Sequence, residues 1–228
     1  LAPALLPDYW EGMGEGLRNI PDRGRAAATL RQLIADPASP RAAASTIAFD
    51  VYGTLIDTNG VTGLLETMVG DQAAEFSRLW RDKQLEYSFR RGLMRRYANF
   101  AVCTRDALDH TCAFLQADLD SEQRQALLDR YRTLPAFADV VPALEALGDE
   151  GHRLYAFSNG TREAVVTLLA AAGIRDCFLD LVSVDEVGSF KPDPAVYNHF
   201  LERAGAEAVS AWLVSSNPFD VIGAVSAG

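Results

Sequence analysis

Three apolar residues, Ile47, Ala48 and Phe49, form a run of the kind that makes a strand buried on both faces. The run stops abruptly on a carboxylate, Asp50, and Gly53-Thr54 follow as a turn signal that releases the chain from a sheet. Taken alone, an Asp in this place reads as a strand-end cap or a turn former. The rest of the chain changes that. From about residue 140, strand-like runs alternate with helical ones, the signature of a parallel sheet with crossover helices. Strands are expected over 153–157, 178–184 and 211–214, with helices over 161–172 and 194–204 and another from about 218 to the end.

Polar residues collect where those strands stop. The strand over 153–157 runs into Ser158-Asn159-Gly160, and the strand over 211–214 into Ser215-Ser216-Asn217, with Asp220 shortly after. Lys191 lies in the loop that follows the strand over 178–184. In an open α/β sheet the carboxyl ends of the strands are where ligands bind. A candidate nucleophile, hydroxyls, an amide, a lysine and a second carboxylate therefore meet at one edge.

Between the first strand and residue 140 the sequence is charged and mostly helical, over roughly 61–133. In the stretch 71–92, Phe76, Leu79/Trp80, Lys83 and Tyr87 recur at helical spacing, so that face is expected to pack inward. Arg81 and Leu85 lie four apart and share a neighbouring face. Further helices are expected over 104–117 and 121–133. The basic run Arg90, Arg91, Arg95, Arg96 reads as a solvated helix face.

Composition excludes several classes. A net charge of −10 over 228 residues makes nucleic acid an unsuitable partner, because phosphate binding needs a basic surface. Hydrophobic residues at 49 % are enough for a sizeable core, yet no apolar run is long enough for a membrane span. Cys103, Cys112 and Cys177 show no metal-ligand spacing and read as buried thiols of a reducing, cytoplasmic compartment. His110, His152 and His199 are scattered, so no metal site is expected. Residues 1–45, broken by five prolines, read as an extension or linker with one short amphipathic helix over 25–34. Gly12, Gly14 and Gly16 do not make a nucleotide loop: no strand precedes them, and Leu17 stands in place of the third glycine.

The string Phe49-Asp50-Val51-Tyr52-Gly53-Thr54-Leu55-Ile56-Asp57 resembles the first motif of the haloacid dehalogenase superfamily, whose first Asp is a covalent nucleophile. With LWRDKQLEYSFRRGLMRRYANF, SNG, SVDEVGSFKPDPAVY and SSNPFDVIGA, the chain from 46 to 228 is similar to the type II (S)-2-haloacid dehalogenases. The second of these strings is the most telling, because it belongs to that family's helical cap. Position 52 narrows the reading further. Phosphatases of the superfamily carry there a second Asp that protonates the leaving alkoxide, and this chain has Tyr52. A departing halide is a weak base and needs no proton.

The resemblance implies an α/β fold, a Rossmann-like parallel-sheet core with an inserted helical cap. The core would comprise 46–58 and 140–228, and the cap 59–139. It implies hydrolysis of 2-haloalkanoic acids to 2-hydroxy acids with inversion and without a metal or other cofactor, commonly in a homodimer. Asp50 would attack the halogen-bearing carbon and form an ester. Arg81 and Asn159 would receive the halide, and Thr54, Ser158 and the backbone near Tyr52 would hold the nucleophile and the substrate carboxylate. Lys191 would keep Asp50 ionised beside Asp220. Tyr197, Ser215, Asn217 and Asp220 would position Lys191 and the hydrolytic water, and Leu85, Phe100 and Phe219 would line an apolar pocket. Relatives begin closer to the first strand and run on past 227–228 through another strand and helix, so the chain is expected to be a fragment or processed product with an exposed edge strand. Two other readings remain: a magnesium-dependent phosphohydrolase of the same superfamily, and a non-catalytic truncated relative.

Overall fold

β1 (Thr46–Asp50) is buried along its whole length because it has neighbours on both sides and helices over both faces. The computed structural model describes residues 44–228. The extension and the helix expected over 25–34 lie outside the described residues, save for positions 44 and 45. Four parallel strands stand in the order β3-β2-β1-β4, with β2 (Arg153–Ser158), β3 (Asp180–Ser183) and β4 (Ala211–Val214). Register aligns Asp50 with Phe157, and Ser158 with Ser183, so the strands end at one edge. The chain steps from β1 through β2 to β3 in one direction and then crosses back to place β4 on the other side of β1. That reversal opens a crevice at the carboxyl ends of β1 and β4, where Asp50 stands.

The pleat sorts the side chains into two cores. Ile47 and Phe49 face one way with Leu154, Ala156 and Leu181, against α5 (Val140–Asp149) and α6 (Arg162–Ala171). Ala48 faces the other way with Tyr155, Phe157 and Val182, against Val196, Tyr197 and Phe200 of α7 (Pro194–Ala204). α8 (Pro218–Ser226) follows β4. This is a Rossmann-like α/β layering. Its helix boundaries follow local signals: Thr161 caps α6, and Asp193 with Pro194 opens α7, which Gly205 ends in the left-handed region.

Between β1 and β2 the chain is helical, as expected: α1 (Thr62–Val69), α2 (Ala73–Leu93), α3 (Phe100–Leu115) and α4 (Ser121–Arg130). The buried stripe of α2 differs from the one read in the sequence. It runs Phe76, Trp80, Gln84, Ser88, while Lys83 is half-buried and paired with Glu86 at 2.6 Å. Arg91 also departs from a solvated face: it reaches Asp106 of α3 at 2.7 Å. β3 is shorter than the 178–184 expected, since Val184–Glu186 turns as a short helix capped by Ser183. Among the described residues no helix is long and apolar enough to cross a membrane.

Candidate active site

Asp50 leaves β1 into a tight loop in which Gly53 takes φ +87°, a conformation that favours glycine. The loop closes with Leu55 and Ile56 donating their N–H groups to the Val51 carbonyl. This folds Thr54 back, and its hydroxyl donates to Asp50 Oδ2 at 2.9 Å. Asn217 Nδ2, at the start of α8, donates to the same oxygen at 2.6 Å and also reaches the Tyr52 carbonyl at 3.2 Å. Lys191 Nζ donates to Asp50 Oδ1 at 3.1 Å. The carboxylate is nearly buried and takes three donors from three segments.

Lys191 is 1 % exposed, which for an ammonium demands full pairing. It receives that from Asp50, from Asp220 Oδ2 at 2.8 Å and from the Phe157 carbonyl at 2.9 Å, and its ammonium lies 4.1 Å from the Phe157 ring centre. Burial alone would depress the lysine, but the Asp220 and Asp50 charges outweigh it and hold the ammonium above the usual lysine range. Burial works on Asp220 in the opposite sense, favouring its protonated form. A carboxyl that accepts from both an ammonium and the Tyr197 hydroxyl, at 2.8 Å, is nonetheless best described as the anion. Tyr197 is itself pushed up, by burial and then by Asp220. Gly223 of α8 makes this contact possible, because a Cβ there would collide with the Tyr197 ring and hydroxyl.

Asn159 Oδ1 accepts from the Lys191 backbone N–H at 2.9 Å, which turns its amide donor end away from that contact. Arg81, on α2, donates from Nη2 to the Tyr52 carbonyl at 3.2 Å and from Nη1 to Gln84 at 2.6 Å. Thus Asp50, Thr54, Lys191, Tyr197, Asn217 and Asp220 form one hydrogen-bonded cluster, which Arg81 and Asn159 join through the Tyr52 carbonyl and the Lys191 amide. Ser158 and Ser215 stand at the same edge, but each hydroxyl accepts from a local N–H, that of Gly160 at 3.1 Å and that of Asn217 at 3.2 Å. The Tyr52 and Phe100 rings meet at 5.6 Å and border a cleft of about 510 Å³ between α3, α4 and the start of α6. Phe219 packs on Phe89 of α2 at 4.9 Å, and Leu85 is half-buried on the same helix.

Two participants escaped the sequence reading. Ser216 donates from Oγ to the Gly53 carbonyl at 2.6 Å, and its N–H donates to Thr54 Oγ1 at 2.9 Å, so it braces the loop that holds Thr54. Its place inside Ser215-Ser216-Asn217 was the available signal. Gln84 holds Arg81, and its spacing of three on one helix could have marked it.

The chain, with Asp50 at the switch point of such a sheet, matches a family described as haloacid dehalogenase-like hydrolase over residues 44–228, and it belongs to that family. Within it, the chain is 42 % identical to the (S)-2-haloacid dehalogenase of Pseudomonas sp. strain YL, covering 78 % of this chain and 77 % of that one. The solved L-2-haloacid dehalogenase of Xanthobacter autotrophicus superposes with a TM-score of 0.77 at 35 % identity, over 82 % of this chain and 75 % of that one. The same enzyme with chloropropionic acid covalently bound superposes with a TM-score of 0.77 at 34 % identity, over the same shares.

Proposed function

We propose that this chain hydrolyses (S)-2-haloalkanoic acids to (R)-2-hydroxyalkanoic acids through an ester on Asp50. The observation that carries the reading is how the Asp50 carboxylate is held. Its three donors are an ammonium, a hydroxyl and an amide, and the residue two positions on is Tyr52 rather than an acid. Such a carboxylate is aimed for attack on carbon, and position 52 carries no carboxylic acid to protonate a basic leaving group.

In the first step an Asp50 oxygen bonds to C2 of the substrate as the carbon–halogen bond breaks, and the halide leaves with the bonding pair. Arg81 and the donor end of Asn159 receive that developing charge. Attack from the side opposite the halide inverts the carbon. In the second step water adds to the ester and returns the hydroxy acid and the free Asp50 carboxylate, with one proton released. Lys191, held by Asp220, which accepts from Tyr197 in turn, keeps its charge beside the reacting carboxyl, and Ser215 and Asn217 order the turn next to it.

The helical stretch 59–139 acts on this reading as a cap over a core of 46–58 and 140–228. In support, all four strands come from outside that stretch, and Phe89 and Tyr97 reach from it to Phe219 and Asp185. A cytoplasmic site is supported by three unpaired cysteines. A homodimer is supported by Leu93, Met94 and Phe114, apolar and exposed on α2, α3 and the turn between them, and light scattering tests it.

The magnesium-dependent alternative fits less well, because the cation joining Asp50 to Asp220 is the ammonium of Lys191 itself. Halide release from (S)-2-chloropropionate in EDTA, with the (R) enantiomer alongside, tests the proposal. Release from the (S) form alone, indifferent to EDTA, is expected. A folded protein that releases no halide, yet cleaves a phosphate ester only with added magnesium, would overturn it.

A further inference from the structure

Gln84 has none of its surface exposed, and both ends of its amide are in use. Oε1 accepts from Arg81 Nη1 at 2.6 Å, and Nε2 donates to Thr104 Oγ1, also at 2.6 Å. The Thr104 hydroxyl donates to the Phe100 carbonyl one turn back at 2.8 Å, and Trp80 Nε1 donates to the Thr104 carbonyl at 2.8 Å. The order of donors follows from these contacts. A hydroxyl has one hydrogen, and with it committed to Phe100, Thr104 can only accept from Gln84. Gln84 must then turn its NH2 to Thr104 and its oxygen to the guanidinium.

We propose that Gln84 is a positioning residue for Arg81, and that the relay through Thr104 orients the guanidinium for the departing halide. The inference rests on the dehalogenation proposed above. Arg81 ends a long flexible stem, and among the described residues its hydrogen-bond partners are the Tyr52 carbonyl and Gln84. The Gln84 contact is the shorter of the two and fixes one end of the fork, leaving the other N–H groups for a ligand. A donor held still where charge develops contributes far more to rate than one that must first be oriented. The same relay ties that donor to Phe100, a wall of the adjoining cleft. If Gln84 were only a buried link between α2 and α3, its loss would weaken the fold and slow every substrate alike. A positioning role predicts discrimination instead. Chloride is a poorer leaving group than bromide, so its departure leans harder on the guanidinium.

The experiment is first-turnover halide release by the full chain, measured with (S)-2-chloropropionate and (S)-2-bromopropionate for wild type, Gln84→Met and Gln84→Glu. Gln84→Met should slow chloride release by about 10- to 100-fold, slow bromide release distinctly less, and leave the later decay of the ester unchanged. Gln84→Glu retains an acceptor for Nη1 but offers Thr104 no hydrogen, so it should recover part of the chloride rate. Should Gln84→Met fail to fold, Thr104→Val removes the second link at matched volume and gives the same comparison. Equal slowing of both halides, an unchanged chloride rate, or no recovery in Gln84→Glu would overturn the inference alone. A wild-type chain that releases neither halide would overturn the dehalogenation reading and this inference with it.

Discussion

Asp50 accepts from Thr54, Asn217 and Lys191, which come from three segments of the sheet's carboxyl edge, whereas Arg81 reaches that edge through a single contact, to the Tyr52 carbonyl. Arg81's second contact is to Gln84 on its own helix. Burial separates them too: Asp50 is 6 % exposed, and Arg81 is half-buried. The difference follows from what each must do in the proposed reaction. A nucleophile that attacks in line has to be fixed, and every acceptor position filled by a neighbour narrows its freedom. A halide receptor has to admit and release an ion, and among the described residues only two of the Arg81 nitrogens, Nη1 and Nη2, donate to a partner. Three donors on about four acceptor positions mark the group that stays, and the position left on Oδ1 is the one free to attack.

The most severe way to break the Asp50 end is Asp50→Asn, which should abolish turnover. The amide also turns an NH2 toward the Lys191 ammonium or the Asn217 amide, and should cost about 1–3 kcal/mol of stability. Undiminished halide release by this variant would sink the covalent mechanism. Lys191→Met comes next. It leaves Asp50 and Asp220 facing each other unneutralised, at a cost of about 3–5 kcal/mol in unfolding free energy. pH sharpens this case. Lys191 holds its proton above the ordinary lysine value when folded, so its stabilisation is complete below about pH 10.4 and is lost as pH rises through the folded value. Burial also raises Tyr52 and Tyr197, which lend stability lost over alkaline pH in the same sense. The difference in alkaline unfolding between wild type and Lys191→Met isolates the lysine, and coincident curves would refute its role as the pair's counter-charge.

At the open end, Arg81→Lys keeps the charge but loses the fork that spans Tyr52 and Gln84. Its kcat for chloride release should fall by about 10²–10³, with fold stability within about 1 kcal/mol of wild type, since the side chain is only half-buried. A loss confined to KM would mean that Arg81 binds substrate and does not stabilise the leaving atom.

The closed end was the more legible in the sequence, for a physical reason. Strand ends are announced by a change from apolar to polar residues, so Asp50, Ser158-Asn159 and Ser215 to Asp220 could all be placed at one edge. α7 was legible to the residue because Asp193-Pro194 starts it and Gly205 ends it. The inward face of α2 was legible only in part. Phe76 and Trp80 are buried and Tyr87 packs against both cores, but Lys83 pairs with Glu86, and the remaining fully buried positions of the stripe are Gln84 and Ser88. Both are polar residues whose hydrogen bonds are met inside, Gln84 by Arg81 and Thr104, Ser88 by the Leu85 carbonyl at 2.7 Å. Periodicity ranks positions by hydropathy and cannot see that a polar group is satisfied inside, whether one turn back or on another helix. Phe219 illustrates the same limit: its position beside the site could be anticipated, but its contact with Phe89 depends on how α2 lies over α8.

Ser216 offers the mildest perturbation, and it asks how far the hold on Asp50 depends on the loop beneath. Its hydroxyl donates to the Gly53 carbonyl at 2.6 Å and lies 3.3 Å from Thr54 Oγ1, yet the residue is exposed. Ser216→Ala removes both of these contacts and retains the backbone N–H that donates to Thr54 Oγ1 at 2.9 Å. Thr54 therefore keeps one anchor and its own hydrogen bond to Asp50. Stability should fall by about 0.5–1.5 kcal/mol, as for a typical single hydrogen bond, and turnover by only a few-fold, since one of several donors to the carboxylate is loosened rather than lost. Paired measurements of kcat and thermal midpoint check this. If kcat instead drops a hundredfold while the midpoint barely moves, Thr54 is aimed by the Ser216 hydroxyl, and the Asp50 end is held by a longer chain of contacts than the three donors that touch it.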